Sequence, residues 1–120
     1  MISAVIFDLD GTVLDNEGIW ETAFQSVVDS GQLTIDSKPG GWVHEPGIGV
    51  RTNWIKLVGQ GEQAEKLAKL TWEKYWEVVG DPANLPIKDG LVALVEEIKD
   101  WGWQTALATG SEWYQVEKEL

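Results

Sequence analysis

An apolar run, Ile2 to Phe7 (ISAVIF), stops abruptly at Asp8-Leu9-Asp10-Gly11-Thr12. The run is short and contains β-branched residues, which predicts a buried strand, parallel and central in its sheet. A second run, Trp103 to Ala108 (WQTALA), breaks off in the same way at Thr109-Gly110-Ser111. Two such strands with helical sequence between them form a β-α-β arrangement. That arrangement favours a parallel sheet with a right-handed crossover. In a parallel sheet the chemistry gathers at the C-terminal strand ends. Both polar turns are therefore expected at one edge.

The intervening sequence is helical in its periodicity. Asp15 or Asn16 reads as an N-cap, with Trp20, Ala23, Phe24, Val27 and Val28 at helical spacing and Gly31 as a stop. Gln32 to Gly49 is loop-like, broken by Pro39-Gly40-Gly41 and Pro46-Gly47. Val50 to Val58 predicts a short helix, and Ala64 to Val79 a longer amphipathic one. Gly80 to Lys88 is a Pro-containing connector. Asp89 is expected to cap a further helix ending at Gly102, and Ser111 to cap a last one. The predicted organisation is α/β: residues 1–15 and 83–120 form a parallel-stranded core, and residues 16–82 form an inserted all-helical cap.

Charge narrows the partners. The 120 residues carry a formal net charge of −11, which argues against nucleic acid or an anionic membrane as a ligand. No apolar run is long enough to span a bilayer, and Met1 to Phe7 is too short for a secretory h-region. With no cysteine, disulfides and thiolate metal sites are excluded. A cytoplasmic location is the simplest expectation. Arg51 is the single arginine and a candidate contact for a substrate anion. His44, the single histidine, has no second ligand at useful spacing and reads as a loop residue. Of the eight Trp, Trp42, Trp54, Trp72 and Trp76 lie in the middle third. They read first as core, with the wall of a pocket as the alternative.

Asp8 and Asp10 are the strongest chemical signal. Two carboxylates this close repel, and a divalent cation relieves the repulsion. Asp8 is placed to attack a phosphoryl group. Asp10 is placed to protonate the leaving oxygen and then to activate water. Gly11 permits a sharp turn whose amides can cradle phosphate oxygens. Thr109 offers a hydroxyl, and Gly110 an amide, to the same phosphate. A calcium loop would need further downstream ligands and a preceding helix. A phosphoaspartyl receiver would place an Asp at a later strand, and none ends the second strand here.

The segments AVIFDLDGTVLDNE and LATGS resemble the first and second motifs of the haloacid dehalogenase superfamily. The whole arrangement is similar to the branch containing β-phosphoglucomutase and phosphoglycolate phosphatase. The resemblance implies a partial Rossmann-like core with a helical cap, and Mg²⁺ as cofactor. It implies Asp8 as nucleophile and metal ligand, and Asp10 as acid/base and as metal ligand through its carbonyl. Thr109, with Gly110 and Gly11, would bind phosphate. The implied activity is hydrolysis or mutase transfer on a small phosphorylated metabolite. The Lys and further acidic residues that the family carries downstream do not occur here after the second motif. The chain is therefore expected to be the front part of such an enzyme, weakly active or inactive alone. A silent binding or assembly module is the alternative. Uncovered core edges would favour a homo-oligomer.

Overall fold

The computed structural model describes residues 1–31 and 43–120. Trp42 and the Pro39-Gly40-Gly41 breaker lie outside them. The chain runs through strand β1 (Ala4–Asp8), helices α1 (Glu17–Asp29), α2 (Val50–Val58) and α3 (Glu62–Val79), and a single 3₁₀ turn at Pro82–Asn84. Helix α4 (Leu91–Asp100), strand β2 (Gln104–Ala108) and helix α5 (Trp113–Glu119) complete it. It is an α/β fold, a partial core of two parallel strands joined to five helices. β1 and β2 pair in register from Ala4 with Gln104 to Asp8 with Ala108. Both C-terminal strand ends therefore lie at one edge, as the sequence predicts.

The apolar core does not sit on the sheet. It lies among α1, α2 and α3, where Trp20, Phe24, Val27, Trp54, Leu67, Trp72 and Tyr75 interlock. Helical spacing brings these residues onto facing stripes, and aromatic edge-to-face contacts tie them together, as between Trp20 and Trp72 at 4.6 Å. Leu9 and Leu14 from the first turn, and Val116 from α5, extend the same cluster.

The strands depart from expectation. The sequence predicts buried strands, yet every residue of β2 is exposed and Ile6 is 67% accessible. α4 packs on β2 but buries only Ile98, and Val92, Leu94 and Trp101 remain exposed. An apolar strand signals a need for cover. Whether cover is present depends on what else packs there.

Three caps also differ. Asn16 precedes α1 but makes no side-chain cap. Gly90, in the left-handed region at φ 79°, replaces Asp89 at the start of α4. Glu112, not Ser111, precedes α5. Asn16 and Ser111 are drawn elsewhere, to Asp10. The two segments that lead into and out of the helical region lie side by side. Asp15 N donates to Pro86 O at 2.8 Å, and Lys88 N to Val13 O at 3.0 Å. Among the described residues no helix is long and apolar enough to cross a membrane.

Candidate active site

The first turn folds around one carbonyl. Leu9 O accepts from Val13 N at 2.9 Å and Leu14 N at 3.0 Å, with Thr12 N at 3.3 Å. Leu9 itself is fully buried. Its neighbours in sequence, Asp8 and Asp10, both line a cleft of about 80 Å³. Thr109, Gly110 and Ser111, from the end of β2, line the same cleft. The parallel register brings the two turns together across about one hundred residues of sequence, as the Ser111–Asp10 contact illustrates.

Asp10 is held from three directions. Asn16 Nδ2 donates to its Oδ1 at 2.6 Å and Trp20 Nε1 donates to the same oxygen at 3.0 Å. Ser111 Oγ donates to Oδ2 at 3.1 Å. Asp8 Oδ1 accepts the Leu9 amide at 3.0 Å. Thr109 Oγ1 accepts from Ser111 N at 3.1 Å, which fixes its hydroxyl beside the cleft.

Two sequence candidates are placed differently from expectation. The Gly11 amide, expected to face phosphate, donates instead to Asn16 Oδ1 at 3.1 Å. Gly11 has φ 74°, in the left-handed region that favours glycine, and a Cβ there would also have to displace the end of the Glu17 side chain, 2.5 Å away at Oε1. Arg51 does not line the cleft. Its guanidinium is bound to Glu65, with both side chains about half exposed.

The far wall comes from α1 and the loop before α2. Asn53 is buried and fastens that loop, accepting from Glu45 N at 2.7 Å and donating to Glu45 O at 3.0 Å and Gly49 O at 2.9 Å. His44 lies flat against Phe24, with ring centroids 4.7 Å apart and planes inclined by 8°. Trp54 and Trp72 are core residues, and Trp76 is partly buried against that core.

Burial holds His44 below its ordinary pKa of 6.5, although Glu21 and Glu17 oppose the shift. The ring is thus neutral at pH 7. An NMR titration of its ring protons is expected to give a midpoint under 6.5. A midpoint above that value would mean that the two glutamates outweigh desolvation.

The cleft is acidic. Asp8, Asp10, Glu17 and Glu45 line it, and among its described lining residues there is no Lys or Arg. A phosphate dianion would be repelled without a cation. Asp8 and the Asp10 carbonyl are hard oxygen donors at the strand end. That is the donor type magnesium takes, in company with water and substrate oxygens. Asp10's carboxylate accepts three donors, two at Oδ1 and one at Oδ2, so part of its lone-pair capacity is already in use. Among the described residues, no three His, Asp or Glu side chains converge on one metal position. The donor set fits part of a magnesium site.

No local sequence pattern marks Asn16, Trp20 and Ser111 as the donors that hold Asp10.

Comparison with known proteins follows the same lines. The family described as "Hydrolase: haloacid dehalogenase-like hydrolase" matches residues 2–120. No curated protein matches. Among solved structures, a hydrolase from Pseudomonas syringae superposes with TM-score 0.75 at 21% identity, over 98% of this chain and 53% of that one. CbbY from Rhodobacter sphaeroides, in complex with xylulose-(1,5)bisphosphate, gives TM-score 0.69 at 19% identity, over 99% and 56%. A family IA, variant 3 HAD hydrolase from Entamoeba histolytica gives 0.70 at 18%, over 98% and 52%. The chain spans just over half the length of each.

Proposed function

The chain belongs to the haloacid dehalogenase-like hydrolases, and from that premise we propose that it carries the nucleophile-bearing part of a Mg²⁺-dependent phosphomonoester hydrolase or phosphomutase. Its substrate is a small phosphorylated metabolite. One observation carries the reading. Asp8 and Asp10 flank a buried Leu9 at the end of β1, and they share a cleft with Thr109 and Gly110 from the end of β2.

In this reading an Asp8 carboxylate oxygen attacks phosphorus as the bond to the leaving oxygen breaks, and Asp10 gives that oxygen its proton. A water, or a second substrate hydroxyl, then loses its proton to Asp10 and attacks phosphorus, releasing Asp8. Thr109 Oγ1 and the Gly110 amide bind the transferring oxygens. Mg²⁺, held by Asp8 and the Asp10 carbonyl, would offset the negative charge of cleft and phosphate. Arg51, tied to Glu65 and outside the cleft lining, is given no part in this reading.

Residues 16–82 act as a cap over residues 1–15 and 83–120. The paired segments at Asp15–Pro86 and Val13–Lys88 serve as its hinge. The acidic cleft supports a further expectation: the 120 residues alone turn over slowly, because no Lys or Arg is among the cleft's described lining residues. p-Nitrophenyl phosphate hydrolysis, with Mg²⁺ and with chelator, tests this on the 120-residue chain and on a chain continued through whatever coding sequence follows. Mg²⁺-dependent release by the longer form, and much less by the shorter, is expected. Release from both forms that ignores chelation would overturn the magnesium role. Absence of release from the longer form across a panel of phosphate esters would leave the silent module as the better reading.

The exposed sheet supports self-association. Unpaired strand edges beside Ile6 and Leu107 offer a template for a second copy. Light scattering of the 120-residue chain is expected to show a mass that rises with concentration. A concentration-independent monomer would refute it.

A further inference from the structure

Asp10 is the end of a buried hydrogen-bond chain that leaves the cleft and crosses the helical core. Asn16 is fully buried and uses both amide hydrogens, one to Asp10 Oδ1 at 2.6 Å and one to Tyr75 Oη at 3.0 Å. Its own oxygen accepts the Gly11 amide at 3.1 Å, so the amide cannot be turned round without losing the bonds to Gly11 and Asp10. Tyr75, fully buried on α3, accepts from Asn16 and therefore directs its single proton onward. It donates to Glu119 Oε1, on α5, at 2.9 Å. Glu119 is buried as well, and its Oε2 has no partner among the described residues.

We propose that Tyr75 and Glu119 are positioning residues for Asp10, acting through Asn16, so that the seating of α5 on α3 sets the posture of the Asp10 carboxylate. The proposal rests on the reading of Asp10 as the acid/base of the transfer.

A purely structural role explains this arrangement poorly. Tyr75 packs among Trp20, Trp72 and Trp76, and its oxygen satisfies the second amide hydrogen of buried Asn16, but neither task calls for a buried acid beyond it. A half-satisfied buried carboxyl is costly compared with an apolar residue of the same size. The polar chain also has a fixed direction and one terminus in the cleft. Electrostatics supports the connection: burial, and next the charge of Asp10, raise Glu119 to about 7. The two carboxyls therefore sense each other through the protein interior.

α5 has further means of staying seated. Trp76 Nε1 donates to Gln115 Oε1 at 3.1 Å, Val116 is buried in the core cluster, and Lys118 Nζ lies 4.1 Å from the centre of the Trp76 ring. α5 follows β2, whereas α3 belongs to the helical region. The hydrogen-bond chain thus links the strand-borne turn to the helices at the residue that moves the proton.

Trp20 provides the readout. Its indole N–H donates to the same oxygen of Asp10 as Asn16 does. Its resonance therefore reports the posture of Asp10 whether or not the chain turns over. It would be assigned by its loss in Trp20→Phe and followed in the 120-residue chain. Tyr75→Phe and Glu119→Leu are expected to move the Trp20 indole proton upfield, as its bond to Asp10 loosens. Glu119→Gln keeps an oxygen for Tyr75 and is expected to hold the wild-type position. Helical content by circular dichroism identifies the folded variants. Should Tyr75→Phe not fold, Glu119→Leu, on the shorter α5, poses the same question. In the form that turns over, Glu119→Leu lowers kcat several-fold with KM unchanged, and Glu119→Gln restores it.

Folded Glu119→Leu protein with an unmoved Trp20 signal would overturn the proposal. So would a Glu119→Gln signal displaced as far as that of Glu119→Leu. The underlying assignment fails separately: Asp10→Asn with undiminished transfer would remove Asp10 from the chemistry, while the indole shifts would still report the coupling.

Discussion

Asp8→Asn is expected to remove Mg²⁺-dependent phosphoryl transfer, lowering kcat by about 10³-fold or more in the form that turns over. The amide has nearly the shape of the carboxylate, and its Oδ1 can still accept the Leu9 amide, so the turn survives. Its oxygen is far less nucleophilic, and an attack through it yields no stable acyl phosphate. The loss therefore falls on the chemical step. Rapid acid quench should trap phosphorus on the wild-type chain in a form that hydroxylamine releases. The same quench of Asp8→Asn should trap none. A variant that keeps more than about a tenth of the wild-type rate would show that Asp8 only orients or binds, since loss of a true nucleophile costs orders of magnitude. The variant also relieves repulsion beside Asp10, so its thermal unfolding should be no earlier than wild type.

Trp54→Ala is expected to cost about 3–5 kcal/mol of folding free energy, the range for truncating a buried aromatic. Trp54 is fully buried on α2, its ring 5.4 Å from that of Phe24. Its indole donates to Thr71 Oγ1 at 2.8 Å, and Thr71 in turn donates to Leu67 O at 2.7 Å. Truncation therefore opens a cavity where α1, α2 and α3 meet. Domains of this size are stable by about 5–15 kcal/mol, so much of the margin would be lost. Urea titration followed by helical circular dichroism should show a lower midpoint with little change in slope. Val78→Ala, on the exposed side of α3, is the control and should change stability by less than about 0.5 kcal/mol. A Trp54→Ala loss under about 1 kcal/mol would mean that the core resides elsewhere.

Glu119 gives the pH dependence of stability a definite sign. Its pKa is raised from 4.5 to about 7 in the folded chain, so the folded state binds the proton more tightly. The favourable contribution is complete below about pH 4.5 and is lost as pH rises through about 7. After allowance for solvent screening this is on the order of 1–3 kcal/mol. Glu119→Gln should flatten the fall in melting temperature between pH 5 and pH 8. An equally steep fall in the variant would place the titrating group elsewhere.

Features that depend only on neighbours along the chain are legible in the sequence. The strand ending at Asp8 is visible because β-branched residues stop at a polar turn. The helices from Glu17 to Val79 are visible because their apolar residues recur at helical spacing. The parallel pairing follows from helical sequence lying between two strands. Tertiary structure decided which donors reach Asp10, since Asn16 meets Tyr75 across 59 residues and Tyr75 meets Glu119 across 44. No local pattern encodes such partners. It also decided that Asn16 and Ser111 hold a carboxylate instead of capping helices, and that Arg51 answers Glu65 instead of the cleft. A polar side chain takes the strongest partner within reach, and what lies within reach is settled only when distant segments pack. The strands show the same dependence. Ile6 and Leu107 carry the apolar character of buried residues, but burial belongs to the assembled surface around a residue and not to the residue alone.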